Sequence, residues 1–292
     1  EIGDELSYEI NIENLGRTAS GVLARELNFH IQRLLEEKIF ENYKSKVGTL
    51  THGTVTKIDH DGTTYVEIED TKAFMPQKNR IKGENFKVGD VLQAVIKNVA
   101  IDKSHGIRLE LSRTSPKFLE ALLAAEVPEI KDGSVIIRLK SFIQACARIP
   151  GRRAKIALSA VSPNVDPVGA TVGKGGARID AVSRFLSKNL QDGNGGESID
   201  AFEYSASPEI LITRAMAPAI VNSVKIAQDG KAIVYVNPDQ KSKAIGKNGL
   251  NIRLASMLCG CEIELIETGS ASEKKVSKEE GLKNLEALFG EL

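Results

Sequence analysis

From residue 17 to residue 46 the apolar positions fall at three- and four-residue steps. Leu23, Leu27, Ile31, Leu34, Leu35, Ile39, Phe40 and Tyr43 form one stripe, the period of an amphipathic helix. At 1.5 Å per residue this helix runs to about 45 Å, too long for the short segment before it to cover. It either packs on something outside this sequence or forms a rigid strut between domains. At Gly48 the period shortens to two. The runs "TLTHGTVTKID", "TTYVEIED", "AFMP", "VLQAVIKNVAID" and "GIRLELS" are β-rich and are split by Gly, Asp and Asn turns. Five strands in about 65 residues suit a small closed barrel, for which the OB fold is the usual solution.

After Ser112 the pattern becomes α–β–β–α–α–β. A helix over 116–126 precedes strands at 134–145 and 153–161, two short helices flank "GKGG", and the strand "SIDAFEYS" closes the unit. The same order then repeats. A helix over 208–217 leads to strands at 221–227 and 231–236, two helices flank "GKNG", and "CEIELIE" ends the copy. An internal repeat of this kind speaks directly to architecture. The tail "TGSASEKKVSKEE" reads as a polar linker. A short amphipathic segment with Leu282, Leu285, Leu288 and Phe289 on one face follows it.

Length and composition narrow the picture without deciding it. A chain of 292 residues predicts two to four domains, and 41% hydrophobic with 27% charged residues suits a globular protein. No apolar run approaches the roughly 18 residues of a membrane helix. The sequence starts at Glu1 with no targeting pattern before the long helix, which predicts a fragment or processed chain in the cytoplasm. Cys146, Cys259 and Cys261 form neither an even disulfide framework nor zinc knuckles. Reduced thiols are expected, with no metal and no cofactor. The formal net charge is zero, yet residues 48–268 hold 29 Lys plus Arg against 25 Asp plus Glu. "RIPGRRAK" (148–155) and the stretch 241–253 are basic with no acid. Such local fields matter more than net charge for contact with a polyanion, although any single cluster could equally be a solvated face.

The chemistry concentrates in two glycine phrases, "VGATVGKGGARI" (168–179) and "KAIGKNGLNIRL" (243–254), whose G-x-x-G loops lie 73 residues apart. A Walker loop requires G-x-x-x-x-G-K-[ST], with the hydroxyl on magnesium. The first phrase is one spacer short and has Gly175 in place of the hydroxyl, and the second lacks the leading glycine. Helix C-capping explains one glycine in each phrase. It explains neither the second glycine nor the Lys that follows the first glycine in both copies. A G-x-x-G turn between two helices explains all of them. The glycines let a sugar-phosphate backbone approach closely, and the next helix offers its N–H groups and dipole to phosphate. This is the KH arrangement, in which the loop clamps about four nucleotides of single strand.

The candidate RNA-binding residues are therefore Gly173, Lys174, Gly175, Gly176, Arg178 and Ile179 in the first phrase, with Arg152 and Arg153 nearby. In the second phrase they are Gly246, Lys247, Asn248, Gly249, Ile252 and Arg253. Val172 with Ile179, and Ile245 with Ile252, are placed to floor a groove for unstacked bases. On the barrel, Tyr65, Phe74 and Phe86 with His52 and Arg108 suit base stacking, and core packing is the competing role for each aromatic. No catalytic residue is nominated.

At this point the chain resembles the NusA family of bacterial transcription elongation, termination and antitermination factors. The resemblance runs from about Gly16 to about Glu267. It rests on "AFMPQKN" and "FKVGD" in the barrel, "LSRTSPKFL" at its exit and "EVPEIKDG" entering the first KH unit. It continues through "ARIPGRRAKIAL", "NVDPVGATVGKGGARI" and "AIGKNGLNIRLA". The resemblance implies an α+β multidomain chain of an N-terminal helix, a ribosomal-protein-S-one type of OB barrel and two type II KH domains. The boundaries it suggests are 1–47 for the end of a polymerase-binding domain, 48–113 for the barrel and 114–206 for the first KH domain. The second KH domain spans 207–268, and 269–292 is linker and a short helix. Implied partners are single-stranded nascent RNA, RNA polymerase and other Nus factors, for a monomer that carries out no catalysis. Gly175 stands where the family often has a basic residue, and Cys261 where it commonly has Trp. Two rival functions are an interaction scaffold with degenerate KH units and the RNA tether of a ribonuclease. The second lacks any carboxylate cluster suited to two-metal chemistry.

Overall fold

The structure, a computed structural model, describes residues 16–69, 71–102, 106–137, 146–188, 190 and 196–268. The amphipathic tail expected over 282–289 lies outside the described residues.

Helix α1 (Arg17–Ser45) has the expected length, but its apolar stripe is not buried. Leu27 is 51% exposed and Leu34 64%, and only Tyr43 is buried. Tyr43 joins the core of the barrel that follows, so the helix stands on the barrel by its last turns. Among the described residues nothing covers the stripe along most of the helix.

The barrel contains β1 (Leu50–Ile58), β2 (Thr64–Ile68), β3 (Thr71–Met75), β4 (Val91–Asp102) and β5 (Gly106–Ser112). The strands close in the order β1-β2-β3-β5-β4, with β4 returning to β1 and β3 parallel to β5. This is the five-stranded OB order. The period of two does the sorting: Thr64, Val66 and Ile68 face in, and Tyr65 and Glu67 face out. Phe86 corrects one expectation. It is 3% exposed within the barrel core, so no base can reach its ring.

The first α–β–β–α–α–β unit comprises α2 (Pro116–Glu126), α3 (Pro128–Lys131), β6 (Val135–Ile137), β7 (Cys146–Ile149), β8 (Arg153–Ala160), α4 (Pro167–Val172), α5 (Ala177–Ser187) and β9 (Ser198–Glu203). Of the single strand expected over 134–145, residues 135–137 form β6, and 138–145 fall outside the described residues. Strands β6 and β7 pair antiparallel with the two ends of one edge of β8, and β9 runs parallel along the other edge. The second unit has α6 (Pro208–Ala215), β10 (Val221–Ile226), β11 (Ala232–Val236), α7 (Pro238–Ile245), α8 (Leu250–Cys259) and β12 (Ile263–Glu267). Its sheet repeats the plan, with β10 antiparallel and β12 parallel to β11. Proline opens α2, α3, α4, α6 and α7, where its missing N–H costs nothing.

The two units are not beads on a string. One face of the β7–β8–β9 sheet packs on Phe118, Leu119, Leu123, Val182 and Leu186 of its own helices. The opposite face, with Ala147, Ala157 and Phe202, belongs to the hydrophobic cluster of the second unit, beside Leu211, Met216, Leu254 and Leu258. Helix α8 therefore lies on β7 and β8. Lys155 is fully buried at this junction. Its ammonium donates to Ala217 O at 2.7 Å in the second unit and pairs with Asp200 at 3.1 Å. Burial pulls its pKa down and Asp200 opposes that shift.

A second buried ion pair joins the first unit to the barrel exit. Arg148 and Glu197 are both 0% exposed and bind at 2.5 and 2.8 Å through two nitrogens and two oxygens. The remaining valences are used: Arg148 Nη1 donates to the carbonyls of Arg113 and Ser115, and Glu197 accepts from the Gly151 N–H. Arg113 in turn pairs with buried Glu84 of the barrel. Removing one partner strands the other charge out of water. Arg148→Ala is expected to cost about 3–5 kcal/mol, read as an earlier urea transition, whereas Arg148→Met with Glu197→Leu recovers most of the loss.

Candidate nucleic-acid interface

Each glycine phrase folds into the same four-residue turn. Gly173 and Gly246 have φ/ψ of 76°/172° and 72°/171°, a region that is essentially glycine-only. Lys174 and Lys247 open a 3-10 turn. The next position is left-handed in both, with φ 63° at Gly175 and 54° at Asn248. Asn tolerates that region better than most residues, which is why Gly and Asn exchange here. The last glycines, Gly176 and Gly249, are left-handed at φ 82° and 71° and start α5 and α8. No side chain caps either helix. The first amide of each is used within the turn, Ala177 N–H on Lys174 O and Leu250 N–H on Lys247 O, so what each helix start presents to a ligand is an uncapped, positive dipole end.

The glycines divide into two roles. A Cβ on Gly173 would stand 2.8 Å from Arg178 Cγ, and one on Gly246 would stand 2.8 Å from Asn251 Cβ. The first glycine therefore makes room for the helix that follows. A Cβ on Gly175 or Gly249 would meet nothing, so that side of each turn is open.

Arg178 is placed differently from the expectation. Its Nη1 donates to Ala170 O at 2.6 Å and to Glu129 at 2.9 Å, which closes the C-terminal end of α4. Asn251, at the same offset in the second turn, donates to Ala244 O, Lys243 O and Met216 O. Both residues hold the turn shut from behind. Asn251 was missed in the sequence because an Arg and an Asn share no pattern; only the equal offset from the glycines linked them. Arg153 is likewise engaged, with Asp200 at 2.7 and 2.9 Å. Arg152 is exposed at the turn between β7 and β8, on a different element from either loop.

The uncommitted cations are Lys174 at the first turn and Lys243, Lys247 and Arg253 at the second. All are exposed and have no ion pair among the described residues. The first helix carries Asp180 where the second carries Arg253, so the second turn is the more positive. Val172, Ile179, Ile245 and Ile252 are half-buried beside the turns.

On the barrel, Tyr65 and Phe74 face each other across β2 and β3. Lys57 sits 5.5 Å from the Tyr65 ring and Arg108 4.7 Å from Phe74. The Asp59 carboxyl is held below its ordinary range by the Lys57 ammonium and the Tyr65 hydroxyl, and the same carboxylate raises the Tyr65 pKa. His52 is exposed on β1. Among the described residues no group of three His, Cys, Asp or Glu could hold a metal, and no helix is long and apolar enough to cross a membrane.

A closed OB-type barrel followed by two KH units, each with a G-x-x-G turn between helices, defines a class of multidomain protein built from nucleic-acid-binding modules. Comparison with known proteins narrows the class. Residues 113–191 match the NusA-like first KH domain and residues 208–273 the NusA-like second KH domain. The transcription termination/antitermination protein NusA of Helicobacter pylori is 40% identical, over 99% of this chain and 77% of that protein. The protein of the same name from Thermus thermophilus is 39% identical, over 91% of this chain and 65% of its own length. The Bacillus subtilis NusA is 31% identical, over 99% and 74%. The chain belongs to the NusA family.

Two outcomes follow from this geometry. Gly246→Ala combines a forbidden dihedral with a clash and should cost about 1–3 kcal/mol, whereas Gly249→Ala, in open space, should cost about 1–2 kcal/mol; thermal unfolding of both variants measures the difference. Burial pushes Cys259 up to about 12 and raises Cys146 and Cys261 as well. At pH 7.5 iodoacetamide should accordingly leave buried Cys146 intact in the native protein, modify Cys261 first, and reach all three thiols only after denaturation.

Proposed function

We propose that this chain is a non-enzymatic, RNA-binding transcription factor that grips nascent single-stranded RNA with its two G-x-x-G turns. By holding that RNA it modulates pausing, termination and antitermination by RNA polymerase. The observation that carries the reading is the near-identity of the two turns, each with a helix N-terminus that no side chain caps and an exposed Lys, on units that share one core. Gly173, Gly175, Gly176, Gly246, Asn248 and Gly249 set the backbone, and Lys174, Lys247 and Arg253 neutralise phosphate. Ile179 and Ile252 floor the base groove. Arg178 acts by closing its turn, and Arg152 and Arg153 contribute to the field. Tyr65 and Phe74 form a separate stacking platform on the barrel.

Each turn by itself holds a short piece of strand, so affinity comes from engaging both at once. The rigid junction raises the effective concentration at the second turn. The limits 48–113, 114–206 and 207–268 serve as working boundaries for the three RNA-binding modules. The uncovered stripe of α1 supports a protein partner at that end, which we assign to RNA polymerase, with other Nus factors joining the assembly. We place the protein in the cytoplasm as a monomer.

The test is fluorescence anisotropy with a labelled single-stranded RNA of about a dozen nucleotides, compared with a hairpin of equal length. The wild type should prefer the single strand, and log Kd should rise by about 0.7 per log salt for each phosphate neutralised. Lys247→Asp should weaken binding more than Lys174→Asp, because Lys243 and Arg253 reinforce only the second turn. Equal binding by the wild type and a Lys174→Asp/Lys247→Asp double variant would move the RNA site away from the turns and favour the scaffold role.

A further inference from the structure

Helix α5 begins at the first G-x-x-G turn and ends against the barrel. Ala177, Ala181, Arg184 and Lys188 recur at four-, three- and four-residue steps, which places them on one face. Lys174 precedes this row in the turn, and Arg184 and Lys188 are both exposed. Arg184 Nε rests on its own helix at Asp180 O, and neither residue has an ion pair among the described residues. With Lys174, these two side chains space three cations along about 16 Å from the turn to the barrel, with exposed Asp180 beside the row.

At its far end the row meets a cleft of about 370 Å³ between the barrel and α5, lined by His52, Val91, Gln93, Arg113, Phe185 and Lys188. Its floor is fixed in advance. The Arg113 guanidinium is held by Glu84 and donates to Gln93 O, and it lies 5.8 Å from the Phe185 ring. Val91, 72% exposed, forms an apolar lip that no described residue covers. The set has the parts that one nucleotide needs: an aromatic face and an apolar lip for the base, a side-chain amide for its edge, and an ammonium and an imidazole for the phosphate. Its volume also falls within the range of small-ligand sites.

We propose that this cleft takes a single nucleotide of the same RNA strand, beyond those held by the first turn, so that the strand continues along α5 to the barrel. The proposal rests on the RNA-binding reading of the turns. Lys188 is the residue that distinguishes it, because Lys188 is exposed and lies about 16 Å along α5 from the first turn.

The experiment uses the whole chain and two RNAs, a core of about a dozen nucleotides and the same core extended by about four at one end or the other. In the wild type, extension at one of the two ends should tighten binding about tenfold. Lys188→Glu should abolish that gain without changing affinity for the core, and Lys188→Arg should keep it. A photoreactive base within the extension should crosslink to the peptide that contains Phe185 and Lys188. If the core binds but neither extension helps, or if Lys188→Glu retains the gain, the cleft is not a nucleotide site and the turns stand without it. If the core itself does not bind, the RNA reading of the turns fails and the cleft proposal fails with it.

Discussion

The burial of a single sheet from both sides organises the C-terminal half of this protein. The β7–β8–β9 sheet is apolar on both faces, and its own helices can cover only one. Ala147 and Ala157 make the second face flat enough for α8 to lie directly on it. Because α8 begins at the second G-x-x-G turn, the packing that covers the first sheet also fixes where the second turn points. The orientation of one turn relative to the other is therefore set by a requirement of the core. Lys155 belongs to the same constraint. An ammonium at this interface is tolerated because Asp200 and the Ala217 carbonyl complete its environment, and burying it without them would be costly.

Ionic contacts of the same kind set the angle to the barrel. Arg148 reaches two carbonyls of the barrel exit while paired with Glu197, and Arg113 returns to Glu84 among three aromatic rings. Such pairs add little net stability, but they define one geometry, since each charge has one arrangement that satisfies it. The cleft at the end of α5 owes its preformed floor to this arrangement.

The zero formal charge of the chain is a poor guide to its surface. Cations near acids are consumed internally: Arg148, Arg153, Lys155 and Arg178 all pair within the fold. Lys174, Lys243, Lys247 and Arg253 at the two turns, and Arg184 and Lys188 along α5, are among the exposed cations left without an ion pair among the described residues. The second turn is the stronger of the two, because Arg253 replaces Asp180.

The sequence by itself determined the order and type of the elements, since period two, period 3.6 and proline at helix starts are local signals that survive without tertiary context. It also determined both turns, because their backbone angles admit only Gly, or Gly and Asn, and those residues are visible one by one. Tertiary structure decided what each side chain does. Phe86 and Tyr65 look alike in a strand-rich stretch, yet one is core and the other surface, because facing depends on how the barrel closes. Arg178 and Arg253 look like equivalent phosphate ligands, but the carbonyl end of α4 and Glu129 claim Arg178. Neither the sharing of one core by two repeats nor the cleft beneath His52 and Lys188 could be read from the chain, since each arises between segments that lie far apart in sequence.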